Sequence, residues 1–181
     1  MILIGLTGTI GSGKTFALNF FRSKKIKVFS ADEEVKKILE KKTVKEKIYK
    51  LFPKSFIGKK LNKTMLASIV FGEKKKLRKL EKIIHPYVRK KKKIFLNKKK
   101  KKKLTIMEIP IIFEQKAEKN YDYIILMDVN KKIQFQRIKK RKNITNELFK
   151  KILSNQISNK KKNLADFIIN NNGPKKKQKK V

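Results

Sequence analysis

The chain contains no cysteine and no tryptophan, one histidine, four prolines and seven glycines. Without cysteine there is no disulfide framework and no thiolate metal site. No apolar run approaches the ~20 residues of a membrane span, and no basic stretch precedes the apolar N-terminus, so a soluble cytoplasmic protein is expected. Acid is scarce too: 14 Asp and Glu face 52 Lys and Arg, for a formal net charge of +38. Such a balance normally points to nucleic acid or an anionic membrane. The kind of base argues otherwise, because only residues 22, 78, 89, 137 and 141 are arginine. Lys, Asn, Ile and Phe are plentiful together, as an AT-rich coding sequence produces. Base readers use arginine for bidentate contacts and exposed aromatics for stacking, and the lysine blocks have neither. No specific nucleic-acid partner and no membrane partner are therefore expected. A length of 181 residues suits one α/β core with a small insertion, as a single domain.

What is present begins at Gly8-Thr9-Ile10-Gly11-Ser12-Gly13-Lys14-Thr15, which has the spacing of a phosphate-binding loop. The apolar run Met1 to Leu6 before it reads as a strand buried on both faces, and Phe16, Ala17, Leu18, Phe20 and Phe21 pattern a helix after it. The glycines let backbone N–H groups turn inward around an anion where a Cβ would intrude. The helix N-terminus adds its partial positive charge. In such a loop Lys14 reaches the β- and γ-phosphates and the Thr15 hydroxyl ligates Mg²⁺.

Ile26 to Phe29 alternates as a second strand and ends at Ser30-Ala31-Asp32. Asp32 thus stands at the carboxyl end of a strand, where open α/β sheets place their ligands. It also suits the N-cap of the helix beginning at Glu33, and the two roles are compatible. From Glu33 to about Asn97 the apolar spacing is helical, with breaks at Pro53, Gly58 and Gly72. Because the residue before a proline is pushed out of helical geometry, His85 before Pro86 is expected at a junction between two helices, with Arg89 one turn on. The six lysines from Lys98 to Lys103 read as a solvated turn. Leu104 to Met107 is a third strand, followed by Glu108, a carboxylate able to orient a metal-bound water or a substrate hydroxyl. Tyr123 to Val129 is a fourth strand. Arg137 and Arg141 lie one turn apart on the helix that follows, and are read as phosphate or base contacts. A further helix spans Asn146 to Ile157 with Thr145 or Asn146 as its cap, and Ala165 to Ile169 is a fifth strand. The tail from Lys175 to Val181 lacks an apolar face and reads as frayed.

In this order the motifs resemble the dephospho-CoA kinase family. The likeness rests on residues 4 to 15, Ser30-Ala31-Asp32, Ile69-Val70-Phe71, the run Leu80 to Pro86 with Arg89, and Ile109 to Glu114. It continues through Gln134 to Arg137 with Arg141, Gln156, and Ala165 to Asn170. The resemblance implies an α/β P-loop kinase with a five-stranded parallel sheet, a helical substrate domain and a small lid. Its expected boundaries are core 1–31, 104–136 and 157–174, helical insertion 32–103, lid 137–156 and basic tail 175–181. It implies transfer of the ATP γ-phosphate to the 3′-hydroxyl of dephospho-CoA, with ATP and Mg²⁺ required, by a monomer or weak homo-oligomer. By resemblance Asp32 takes or orients the ribose 3′-hydroxyl proton, and Lys14 and Arg137 neutralise the transferring phosphoryl group. Gly11, Ser12, Gly13, Lys14, Thr15, Phe16 and Arg141 bind ATP, with Thr15 also on the metal. Asp32, His85, Arg89 and Glu108 bind the acceptor. The chain departs from the family pattern at Thr9 for a glycine, Phe16 for a hydroxyl residue, Ser30 for an acid, and Asn62-Lys63 for Asp-Arg. Two other readings are another small-substrate P-loop kinase and a basic nucleic-acid-binding module.

Overall fold

The computed structural model describes residues 1–97, 104–141, 144–156 and 159–173. The lysine run 98–103 and the tail 175–181 lie outside them. Five strands, β1 (Ile2–Thr7), β2 (Lys27–Ser30), β5 (Leu104–Glu108), β6 (Tyr123–Asp128) and β7 (Phe167–Asn170), form one parallel sheet in the order β2-β5-β1-β6-β7. Their register sets Leu6 and Ser30 beside Glu108, and Asp128 beside Asn170. The carboxyl ends of all five therefore share one edge, which is where a ligand binds in such a sheet.

Alternation along a strand sends neighbours to opposite faces. Ile106 packs with Leu6, Ala17 and Leu18 under helix α1 (Lys14–Ser23), while Met107 packs on the other face with Phe29 and Ala31. Between β2 and β5 lie helices α2 (Ala31–Ile38), α3 (Lys42–Leu51), α4 (Lys63–Phe71) and α5 (Lys74–Asn97). They enclose a core of their own from Ile38, Val44, Ile48, Phe52, Leu66, Val70, Leu80 and Ile84. Val88, Phe95 and Leu96, further along α5, pack on the sheet, so this one helix joins the two cores. Helices α6 (Lys131–Lys139) and α7 (Asn146–Ser154) complete the chain before β7.

Four local expectations change. Helix α5 runs unbroken through Pro86, so His85 lies within a helix and not at a junction. A proline removes one backbone donor from a helix, and the packing of the 24-residue α5 on both sides of Pro86 outweighs that loss. A two-residue hairpin, β3 (Phe56–Ile57) with β4 (Lys60–Leu61), turns through Gly58 at φ +56° where only breaks were expected. Ser30, not Asp32, caps α2, its hydroxyl accepting from the Glu33 N–H at 3.2 Å. Arg141 lies just past the end of α6 and not one turn along it, its N–H donating to Ile138 O at 2.8 Å.

Candidate active site

The loop between β1 and α1 carries Gly8, Gly11 and Gly13 at φ +145°, +80° and +100°. A Cβ at Gly8 would stand 2.5 Å from Met127 O, and one at Gly13 would stand 1.8 Å from Asn171 Nδ2. At Gly8 space, against backbone, as well as torsion demands glycine, and at Gly13 the torsion does. Gly13 opens α1 as its N-cap, so the first N–H groups of the helix face the loop with the positive end of the dipole behind them. Thr15, in the first turn, is exposed, and Phe16 beside it is half-buried.

Lys14 is 8% exposed, and its Nζ donates to Gly8 O at 2.7 Å and Thr9 O at 3.2 Å. Burial lowers its pKa, while the charges of Asp32, Glu108 and Glu114 hold it up and that of Arg141 presses it further down. Two carboxylates from adjacent strand ends thus act on this ammonium. Asp32 sits exposed in the first turn of α2, freed from capping duty by Ser30. Glu108 is buried beneath it at 1% exposure and takes a hydrogen bond from Ser30 Oγ at 2.7 Å. Burial, then the charge of Asp32, pushes the Glu108 carboxyl up to about 7, against the pull of Ser30, Lys14 and the Asp32 backbone. Among the described residues its Oε1 has no hydrogen-bond partner, an acceptor of the kind that a metal, a water or a ligand hydroxyl would satisfy.

From the opposite side comes Arg137. Its Nη2 donates to Asn171 O at 2.8 Å, and its Nη1, buried and without a hydrogen bond among the described residues, stands 3.7 Å from where a Gly13 Cβ would be. Asn171 Nδ2 in turn donates to Ser12 O at 2.7 Å. Gln134, on α6, donates from Nε2 to Thr9 Oγ1 at 2.9 Å and Ile10 O at 2.5 Å, and Ile10 N donates to Gln156 Oε1 at 2.8 Å. A cavity of about 810 Å³ opens beside the loop, among Thr9, Phe113, Asp128, Gln134 and Gln156.

Lys14, Asp32, Glu108, Arg137 and Arg141 are therefore gathered at one sheet edge. His85, half-buried, and Arg89, exposed, stand one turn apart on α5, and among the described residues no hydrogen bond or ion pair joins either to that cluster. Three participants had no role assigned from sequence. Asn171 read only as part of a turn, and Gln134 and Gln156 only as motif letters, since each acts on backbone more than a hundred residues away.

A parallel sheet in this order, with a glycine loop closing on a helix N-terminus and a buried lysine facing carboxylates at the ends of β5 and β2, defines a P-loop kinase. Solved shikimate kinase from Acinetobacter baumannii shares this fold at a TM-score of 0.55 and 14% identity, over 98% of this chain and 88% of its own. The chain belongs to the dephospho-CoA kinase family, whose model, described as Dephospho-CoA kinase, matches residues 2–177. A relative of that name from Bartonella quintana is 39% identical over 94% of this chain and 89% of its own. One from Fusobacterium nucleatum is 38% identical over 95% and 90%. Among solved structures, a Thermus thermophilus protein aligns at a TM-score of 0.81 with 28% identity, over 95% of this chain and 89% of its own. Dephospho-CoA kinase from Campylobacter jejuni aligns at 0.60 with 27% identity, over 98% and 91%.

Proposed function

We propose that this chain transfers the γ-phosphate of ATP to the 3′-hydroxyl of dephospho-CoA, giving coenzyme A and ADP. The observation that carries this reading is the pairing of Lys14, in a loop shaped for phosphate, with an accessible carboxylate at Asp32 on the next strand end but one. In this reading the loop amides and Lys14 hold the β- and γ-phosphates, and Arg137 and Arg141 meet the charge that spreads over the phosphoryl oxygens. Asp32 orients the acceptor hydroxyl and takes its proton as the new O–P bond forms and the bond to the ADP oxygen breaks. Burial of Lys14, and of the Nη1 end of the half-buried Arg137, makes their charges count for more than they would in water.

Mg²⁺ fits the residues present. Among the described residues no three His, Cys, Asp or Glu converge as a metal cage, which agrees with the habit of Mg²⁺ of binding through phosphates, waters and one or two protein oxygens. Thr15 would supply the hydroxyl, with Asp32 and Glu108 as nearby carboxylates, the Glu108 Oε1 having no hydrogen-bond partner among the described residues. When bound, the ion neutralises phosphate charge and helps align the γ-phosphate. In this reading His85 and Arg89, on α5 in the helical insertion 32–103, hold the acceptor. By the same reading the work is done in the cytoplasm; no described helix is long and apolar enough to cross a membrane.

The deciding experiment is mass spectrometry of dephospho-CoA incubated with the protein, ATP and Mg²⁺, beside nucleoside monophosphates and shikimate. One added phosphoryl group on dephospho-CoA alone is expected. Asp32→Ala is expected to cut turnover by about 10²–10⁴-fold, the usual share of a general base, with ATP affinity nearly unchanged. A parallel loss of ATP binding would remove Asp32 from the acceptor side.

A further inference from the structure

Thr9, Gln134 and Gln156 have no part in the chemistry above, yet they meet around one residue of the phosphate loop, Ile10. Gln134 is 5% exposed and spends both amide hydrogens there, one on the Thr9 hydroxyl and one on Ile10 O. Gln156, two residues beyond α7, accepts the Ile10 N–H at 2.8 Å. Every polar backbone atom of Ile10 is thus held by a glutamine side chain, from two different elements. Lys14 holds Gly8 O and Thr9 O, and Asn171 holds Ser12 O, so the loop is fixed on each flank. Gln134 also presses on the glycine beside it, for a Cβ at Gly11 would come within 3.2 Å of its Cγ. Helix α7 is anchored in its turn, Asn155 Nδ2 reaching Phe71 O on α4 at 3.4 Å.

We propose that Gln134, Gln156 and the Thr9 hydroxyl are positioning residues that hold the phosphate loop in its anion-binding shape and tie that shape to the docking of α6 and α7. Thr9 is then a working part of the loop, because its hydroxyl gives Gln134 a second acceptor that glycine could not. A loop held in advance spares ATP the cost of ordering it. The benefit falls equally on bound ATP and on the transition state, so losing it raises KM for ATP and leaves kcat near its value.

This inference rests on the ATP-binding part of the kinase reading and not on the identity of the acceptor. The test is calorimetric titration of the full chain with Mg·ATP, with steady-state kinetics beside it, for Thr9→Val, Thr9→Ser and Gln156→Met. Thr9→Val keeps the shape and deletes the acceptor, and Gln156→Met leaves Ile10 N–H unpaired. Each is expected to weaken ATP binding about tenfold, the usual consequence of orphaning a partly buried polar group. KM for ATP should rise in step, with kcat and KM for dephospho-CoA nearly unchanged, and Thr9→Ser should bind ATP as the unaltered protein does. Wild-type ATP affinity in Thr9→Val would overturn the proposal, as would equal weakness in Thr9→Ser and Thr9→Val. If Gln156→Met fails to fold, the two Thr9 variants decide alone. A protein that binds ATP but leaves dephospho-CoA unmodified would sink the substrate assignment and leave this inference standing.

Discussion

Glu108 shows what a single buried carboxyl costs and supplies. Its pKa of about 7 in the fold, against an ordinary 4.5, means that the folded chain keeps a proton which the unfolded chain releases. Both states hold that proton below pH 4.5, so the group is neutral to stability there. As pH climbs from 4.5 to 7 the unfolded state is increasingly favoured, by on the order of 3 kcal/mol in all, and above 7 the loss levels off. Glu108→Gln keeps an acceptor for Ser30 and cannot ionise. It is therefore expected to be more stable than the unaltered chain at pH 8 and nearly equal to it at pH 4.5, while phosphoryl transfer falls. Urea midpoints at the two pH values measure this; an unchanged difference between them would show that the carboxyl is not the source. Residues of this kind were open to sequence reasoning because a strand end leaves few places for its side chain. Lys14, Asp32 and Glu108 were singled out from loop spacing and strand position, Arg137 as an arginine on a helix where lysine is the rule, and the part each takes in catalysis came from the family resemblance. The glutamine brace and Asn171 were not singled out, since a side chain bonded to distant backbone imposes no local periodicity.

Elements were readable where burial was total and misread where two signals competed. The apolar strands β1, β5 and β6 stand out because both faces of a parallel sheet are covered. The hairpin β3–β4 has two residues in each strand, too few for any alternation to register. In α5 the local preference of a proline lost to the packing of Leu80 and Ile84 on one side and Val88, Phe95 and Leu96 on the other. Helix α7 offers a test at this scale. Thr145 caps it, its hydroxyl accepting from the Leu148 N–H at 3.2 Å, and Leu148, Phe149 and Ile152 bury its inner face. Thr145→Ala is expected to lower stability by about 1 kcal/mol, and Thr145→Asn to restore it. Because Asn155 and Gln156 pin the far end of α7, amide exchange should quicken in its first turn and stay slow at residues 152–154. Uniform quickening along the helix would mean that the far end is not anchored.

For the molecule as a whole the governing fact is charge. With 14 acids against 52 bases, ion pairing leaves a surplus of 38 positive charges whatever its geometry. The ion pairs that do form, such as Lys45 and Lys63 on Glu40 or Arg22 on Glu33, are solvent-exposed and each contributes little. Repulsion among the remaining lysines opposes the compact state more strongly than these contacts support it. Salt should therefore stabilise this chain. Raising ionic strength from 0.01 to 0.15 M shortens the screening length from about 30 Å to about 8 Å, so repulsion between all but near neighbours is largely screened. The melting temperature is expected to rise by several degrees over that range in sodium chloride, where a fold held by surface ion pairs would soften. Anion binding in the phosphate loop would produce a rise of its own, so Lys14→Ala is the control. An equal rise in that variant assigns the effect to the whole surface, and a rise that vanishes with Lys14 assigns it to the loop and defeats the repulsion argument. Affinity for ATP should move the opposite way over the same range, because the same salt that relieves the lysines screens them from the nucleotide's phosphates.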